Sequence, residues 1–167
     1  YPQAIVLNYQ GDGDLAAIGT AETVHCANRG ERITTVFVNN AVYGMTGGQM
    51  APTTLLGQTT TTSPFGRDAR IEGHPLKISE MLALLDGVVY IERTAVTSPA
   101  GIRKTKKAIQ KAFRIQMDDL GYAMVEILSP CPINWKMAPI DAFKWIDDVL
   151  SKEFPIGVLA DRRPKAV

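Results

Sequence analysis

With 167 residues, 46% of them hydrophobic, the chain is long enough for one globular domain with a sizeable core and too short for two ordinary ones. Eighteen basic residues against seventeen acidic ones give a formal charge of +1, which excludes a nucleic-acid binder working by bulk positive charge and a polyacidic solvating chain. The longest apolar runs, such as Ala4 to Leu7, are a few residues against the roughly 20 that a membrane-spanning helix needs, so a membrane span is excluded as well.

The elements follow in chain order. Ala4 to Tyr9 is a short apolar run ending in Gly11-Asp12-Gly13, and the Ala-, Leu- and Ile-rich segment from Asp14 to Asn28 comes next, which reads as strand, tight turn and helix. Asp14 is placed to cap that helix, and Gly30 to stop it before the β-branched run Ile33 to Val38. Near-continuous apolar strands around a crossover helix predict a parallel sheet covered on both faces, with its binding crevice at the carboxyl ends of the strands. Residues 41–74 show no helix or strand period, and a loop of that length in a compact domain usually has a function. Beyond it, Pro75 to Asp86 reads as a helix, Gly87 to Glu92 as a strand, and Gly101 to Met117 as a helix with Ile102, Ile109, Ala112, Phe113, Gln116 and Met117 inward. Ala123 to Leu128 is a fourth strand, and Pro139 to Leu150 a last helix with Ile140, Phe143, Ile146 and Leu150 inward. The tail 155–167 reads as irregular. The expected fold is therefore a single three-layer α/β domain over 1–167. Four strands are few against a usual five or six. The first residues also carry neither an initiator methionine nor a secretory pattern, so part of the domain is expected to precede residue 1.

Cys26 and Cys131 are the only cysteines and lie far apart, which is no disulfide framework and favours a reducing, cytoplasmic compartment. With His25 and His74 they make no four-ligand zinc motif, and a cubane iron–sulfur cluster needs four cysteines, so any cluster touching this chain must borrow ligands.

Chemistry concentrates at two strand ends. Gly11-Asp12-Gly13, followed after a helix and a strand by Asn39-Asn40, places a carboxylate and a carboxamide oxygen side by side near a helix N-terminus. Two oxygen donors there suit a hard divalent cation together with a phosphate, the cation offsetting repulsion between the anion and Asp12. The rival reading is a dinucleotide fingerprint, since Gly11-x-Gly13-x-x-Ala16 fits its form. Against that rival, Asp12 and Asp14 would face a pyrophosphate without a metal, and the second strand ends in Asn39-Asn40 rather than an acidic ribose ligand.

The paired motif resembles that of thiamine-diphosphate enzymes, and Asn39-Asn40-Ala41-Val42-Tyr43-Gly44-Met45-Thr46-Gly47-Gly48-Gln49 narrows the match. With Gly11 to Gly19, Met50-Ala51-Pro52-Thr53-Thr54 and Ser129-Pro130-Cys131-Pro132-Ile133-Asn134-Trp135 in the same order, the chain resembles the beta subunit of 2-oxoacid:ferredoxin oxidoreductases over nearly its whole length. The resemblance implies a thiamine-diphosphate-binding fold, with Asp12, the Asn40 side chain and the Val42 carbonyl as Mg2+ ligands. It places Gly11, Gly13, Asp14, Gly44, Met45 and Thr46 around the diphosphate and thiazolium. The implied activity is oxidative decarboxylation of a 2-oxoacid to acyl-coenzyme A and carbon dioxide, with electrons leaving singly through iron–sulfur clusters to ferredoxin; the alternative is a non-catalytic fragment or interaction module that retains the fold. The cofactor carries the hard chemistry, so the chain binds and orients it.

The family's usual Cys-Pro-Gly-Cys segment is absent. Cys131, which would otherwise read as buried filler, becomes by resemblance a ligand of a 4Fe-4S cluster completed by residues elsewhere. The carboxylate that activates the aminopyrimidine lies on an alpha or other partner subunit in this family, so the isolated chain is expected to be inactive. The missing half-site implies an obligate interface of about 2,000 Å² or more, with 41–74 and 155–167 as contact segments. His25 and Cys26 read as packing residues, and His74 as a polar turn residue. Arg103, Lys104, Lys106, Lys107, Lys111 and Arg114 give one helix a basic face, either merely solvated or docking an acidic ferredoxin. Within the long loop, Arg67 or Arg70 is a candidate for a substrate carboxylate, a structural loop being the alternative. Gly47-Gly48 are expected to permit a close backbone approach, either to the cofactor or to a neighbouring subunit.

Overall fold

The computed structural model describes residues 4–164. Five strands form one sheet in the order β1 (Leu7–Gly11), β2 (Thr34–Asn39), β4 (Tyr122–Leu128), β3 (Val88–Ala95), β5 (Gly157–Asp161). The first four are mutually parallel, and β5 pairs antiparallel to β3. The mostly parallel α/β sheet is as expected, but the tail is not irregular throughout. Residues Gly157–Asp161 form β5 because the chain returns along the open edge of β3, where Tyr90 faces Asp161 and Ile91 faces Ala160.

Between β1 and β2 the chain makes a π-helical turn, Asp14–Ile18, closed by the Gly19 N–H donating to Asp14 O at 2.7 Å, and then helix α1 (Thr20–Arg29). Asp14 does not cap a helix with its side chain. Its Oδ2 turns back to accept the Gly11 N–H at 3.2 Å, tightening the turn after β1. Gly30 ends α1 in the left-handed region at φ 65°, its N–H reaching Ala27 O while Glu31 N–H reaches Cys26 O, the paired bonds of a Schellman close.

The long loop contains only the short helix α2 (Ala69–Glu72), and α3 (Ile78–Ala83) is shorter than its sequence period indicates. Helix α4 (Pro99–Met117) begins at Ser98, whose Oγ accepts the Gly101 N–H, with Pro99 in the first turn. The expected inner stripe of α4 is corrected. Ile102 and Met117 are exposed, Ile109 and Phe113 half-buried, and the buried face is Thr105, Ala108, Ala112, Ile115 and Gln116. Small side chains let the helix lie close on the sheet, and Thr105 Oγ1 bonds to Thr94 Oγ1 at 2.9 Å. After β4 come α5 (Pro132–Trp135), α6 (Pro139–Trp145), a π-helical turn Ile146–Leu150 and α7 (Ser151–Glu153). Ile146 and Leu150 point inward as expected, Phe143 is half-buried, and Ile140 is exposed because Ala142 takes the inward position of that turn.

The core lies on both faces of the sheet. One face packs Phe37, Ile91 and Met124 against Leu15, Ala16, Ala27, Ile78 and Leu82, and the other packs Val36, Tyr90, Ala123 and Val125 against Ala108, Ala112 and Ile115 of α4. A third cluster, Ala41, Leu55, Ala95, Leu128, Ile146, Leu150 and Phe154, closes the carboxyl end of the first face and seats the turn that follows β2. No helix is long and apolar enough among the described residues to cross a membrane.

Candidate functional site

Asp12 follows β1 and Asn40 follows β2, so the parallel pairing brings both to the carboxyl edge of the sheet. The Val42 N–H donates to Asp12 Oδ2 at 3.2 Å and to Asn40 Oδ1 at 3.3 Å, so one donor holds the carboxylate and the carboxamide oxygen together. Thr53 Oγ1 donates to the same Asp12 oxygen at 3.3 Å. Asp12 is 4% exposed and takes part in no ion pair among the described residues. Burial therefore pushes its carboxyl up to about 6, against the opposing pull of the Val42 N–H and the Thr53 hydroxyl. A buried carboxylate beside a carboxamide oxygen, without a positive partner, is a donor set that a hard divalent cation satisfies.

The backbone around this pair is tightly constrained. Tyr43 bridges to Gln49, its ring lies against Gly13 such that a β-carbon there would stand 3.3 Å from it, and burial together with the Asp12 charge raises its phenol above the ordinary range. Asn134 Nδ2 donates to Gly44 O at 2.9 Å and lies 3.2 Å from Cys131 Sγ, and Trp135 Nε1 donates to Asn40 O at 3.1 Å. Gly48, at φ 85°, faces Asn134 so closely that a β-carbon would come within 2.8 Å of its Oδ1, a close approach made within this chain, whereas the one expected of the Gly47-Gly48 pair is to the cofactor or a neighbouring subunit. Met45 is fully exposed and Thr46 is exposed with its hydroxyl on Gln49.

The structure thus gathers Gly11, Asp12, Gly13, Asp14, Asn40, Val42, Gly44 and Cys131 along one edge, with Met45 and Thr46 on its outer side. Thr53, Asn134 and Trp135 join them. Sequence reasoning gave these three no role, although they stand inside the stretches that carry the resemblance. Asn39, the other half of the Asn-Asn pair, turns inward, its Nδ2 donating to Glu126 Oε1 at 2.8 Å.

Arg67 does not face a substrate. It is 6% exposed, and its guanidinium donates to the carbonyls of Pro52 (2.8 Å), Thr54 (2.7 Å), Glu72 (3.1 Å), Gly73 (2.9 Å) and His74 (2.8 Å), knitting the long loop to itself. Arg70 pairs with Asp68 at the surface. His74 and His25 are exposed and Cys26 is half-buried. On the basic helix, Lys111 is bonded to Asp161 at 2.8 Å and sits over the Tyr90 ring, Lys104 is 4.0 Å from Glu92, and Arg103, Lys106, Lys107 and Arg114 are exposed. Among the described residues no group of three or more His, Cys, Asp or Glu side chains is placed to hold a metal by itself.

Open α/β sheets bind ligands in the crevice beyond the carboxyl ends of their strands, which is where this buried carboxylate and carboxamide lie, and similarity to known proteins says which ligand class this is. The model of the thiamine pyrophosphate enzyme, C-terminal TPP binding domain, matches residues 1–127, and the chain belongs to that family: it is a thiamine-diphosphate-binding domain. It is 52% identical over 158 residues to ketoisovalerate oxidoreductase subunit VorA of Methanothermobacter marburgensis, covering 95% of this chain and 33% of that subunit. It is 36% identical over 147 residues to 2-oxoglutarate synthase subunit KorB of Archaeoglobus fulgidus, covering 88% of this chain and 51% of that one. The solved 2-oxoglutarate:ferredoxin oxidoreductase from Magnetococcus marinus, with 2-oxoglutarate, coenzyme A and succinyl-CoA bound, shares the fold at a TM-score of 0.68 and 22% identity, over 93% of this chain and 56% of that one. The chain spans from about a third to about half the length of these relatives.

Proposed function

We propose that this chain is the cofactor-binding part of a coenzyme A-acylating 2-oxoacid:ferredoxin oxidoreductase that works with alpha and other subunits in the cytoplasm. The observation that carries the reading is Asp12, a buried carboxylate without a positive partner among the described residues, sharing the Val42 N–H with the Asn40 side-chain oxygen. Those residues fit Mg2+ held by Asp12, the Asn40 carboxamide and the Val42 carbonyl. Gly11, Gly13 and Asp14 line the diphosphate side, and the Gly44 to Thr46 turn lines the thiazolium side. When bound, thiamine diphosphate supplies a nucleophilic carbon and an electron sink for decarboxylating a 2-oxoacid, from which ferredoxin takes electrons and coenzyme A the acyl group.

This chain's own residues hold and orient. Asp12 would offset one of the cation's two charges within a buried wall, the Tyr43 ring packs on Gly13 and fixes the turn, and Asn134 and Trp135 tie the Gly44 and Asn40 carbonyls to the segment after β4. Cys131 stands at that same junction, half-buried, which supports its role as one ligand of a 4Fe-4S cluster whose remaining ligands lie outside this chain. The wall for the pyrimidine and its activating carboxylate come from a partner subunit, and exposed Met45, Phe65 and Ile133 supply apolar surface for that contact. The identity of 52% to a ketoisovalerate enzyme, against 36% to a 2-oxoglutarate one, favours a branched 2-oxoacid as substrate.

The test is to purify the intact complex and measure coenzyme A-dependent reduction of ferredoxin with ketoisovalerate, 2-oxoglutarate and pyruvate. Mg2+-dependent binding of thiamine diphosphate is measured alongside by calorimetry. Asp12→Ala is expected to abolish both the turnover and the Mg2+-dependent binding. Thiamine diphosphate binding that persists in Asp12→Ala and ignores Mg2+ would overturn the site.

A further inference from the structure

The turn that presents Asn40 and Val42 rests on a residue in an unfavourable conformation. Ala41 has φ 56°, in the left-handed region that L-residues rarely adopt, and it is fully buried among Leu55, Leu128 and Ile146. Such a conformation persists only where the surroundings over-determine it. Here its carbonyl accepts from Thr54 Oγ1 at 2.7 Å and from Gln58 Nε2 at 3.2 Å, and its N–H donates to Asn39 Oδ1 at 3.0 Å.

The Asn39 carboxamide faces Ala41 in that way because its other end is anchored in the sheet. Asn39 Nδ2 donates to Glu126 Oε1, while Glu126 Oε2 accepts from Arg93 Nε at 2.7 Å and from the Ser79 hydroxyl. Arg93, fully buried, is itself clamped by both oxygens of Glu80 (2.8 and 2.7 Å), by Pro155 O and by the face of Phe154. Three strands therefore contribute one continuous polar chain, Arg93 of β3 to Glu126 of β4 to Asn39 of β2, ending on the Ala41 N–H. A buried ion pair is weak evidence for stability, because desolvation offsets much of its attraction. This one is bonded at both oxygens of Glu126, and its open end points at the turn between two proposed metal ligands.

We propose that Asn39 and Glu126, backed by Arg93, are positioning residues that hold the Asn40–Val42 turn in register with Asp12. The proposal rests on the reading of this edge as the Mg2+ and thiamine diphosphate site. It divides the Asn-Asn pair into an outward residue that meets the ligand and an inward one that sets the backbone.

Two variants separate geometry from charge. Asn39→Asp keeps an oxygen for the Ala41 N–H but loses the donor to Glu126 and sets two carboxylates face to face. Adding Glu126→Gln returns a donor to that contact and leaves the net charge of the pair at its wild-type value. The measurements are amide hydrogen exchange over 39–43 in the intact, cofactor-stripped protein, with α4 as internal reference, and the affinity for thiamine diphosphate at saturating Mg2+. Asn39→Asp is expected to speed exchange over 39–43 by about tenfold while α4 is unchanged, and to weaken cofactor affinity by about tenfold. The double variant is expected to recover both. Unchanged exchange in Asn39→Asp, a rise over α4 equal to that over 39–43, or a double variant no better than the single would each overturn the proposal. If wild type itself fails to bind thiamine diphosphate with Mg2+, the cofactor reading fails, whereas the exchange data still judge the Asn39–Glu126 linkage.

Discussion

Arg67 and Thr53 show how far a side chain's work depends on what surrounds it. A loop arginine near a cofactor motif invites pairing with a substrate carboxylate, yet Arg67 is consumed by five carbonyls between Pro52 and His74. Replacing it by Met leaves those buried acceptors without their charged donor. Since a hydrogen bond to a charged group is worth about 1.5–3 kcal/mol, Arg67→Met is expected to cost roughly 3 kcal/mol or more. The check is urea denaturation together with proteolysis, in which cleavage should concentrate within 50–74. Because Arg67 touches no part of the Asp12 edge directly, Mg2+-dependent cofactor affinity in the surviving folded fraction is expected to fall by much less than in Asp12→Ala. Thr53 presents the opposite case: nothing in its residue type marks it, but the loop folds back so that its hydroxyl meets Asp12 Oδ2.

At the scale of elements, helix α4 carries the clearest contrast between sequence pattern and packing. Its large apolar residues Ile102 and Met117 face outward, and small ones face the sheet, because β3 and β4 approach closely enough that Ala108 and Ala112 fill the gap. The start of the helix, by contrast, is set locally: Ser98 Oγ takes the Gly101 N–H, and Pro99 has no N–H to leave unpaired. Ser98→Ala is expected to destabilise the fold by about 1 kcal/mol without changing cofactor affinity. Thermal unfolding followed by circular dichroism reads the first part, and calorimetric titration with thiamine diphosphate the second.

For the whole molecule, the buried phenols set a limit on alkaline stability. Burial pushes Tyr122 up to about 12, and burial with the neighbouring Glu92 carboxylate holds Tyr90 well above the ordinary phenol range. An unfolded tyrosine ionises near about 10. The native state thus binds these protons more tightly than the unfolded chain, so their contribution is complete below about pH 10 and is lost as pH rises through about 12. The urea midpoint is expected to be level on approach to pH 10 and to fall steeply above it, with tyrosinate absorbance rising in the same step. Tyr122→Phe should shift that fall upward in pH if the phenol is its source.

The amino-acid sequence by itself determined the local features: the strand–turn–helix through Gly11-Asp12-Gly13, the left-handed stop at Gly30, the parallel order that sets Asp12 beside Asn40, and the family carried by contiguous motifs. These follow from short-range backbone preference and from the arrangement of apolar runs, both of which a linear chain displays. Only the tertiary structure decided which face α4 buries, that Gly157–Asp161 completes the sheet as β5, that Arg67 serves its own loop, and that Thr53, Asn134 and Trp135 reach the site. The inward role of Asn39 belongs with these. Its partner Glu126 lies across the β2–β4 pairing, and a polar side chain's choice of partner is fixed by strand neighbours and burial that no local stretch of sequence contains.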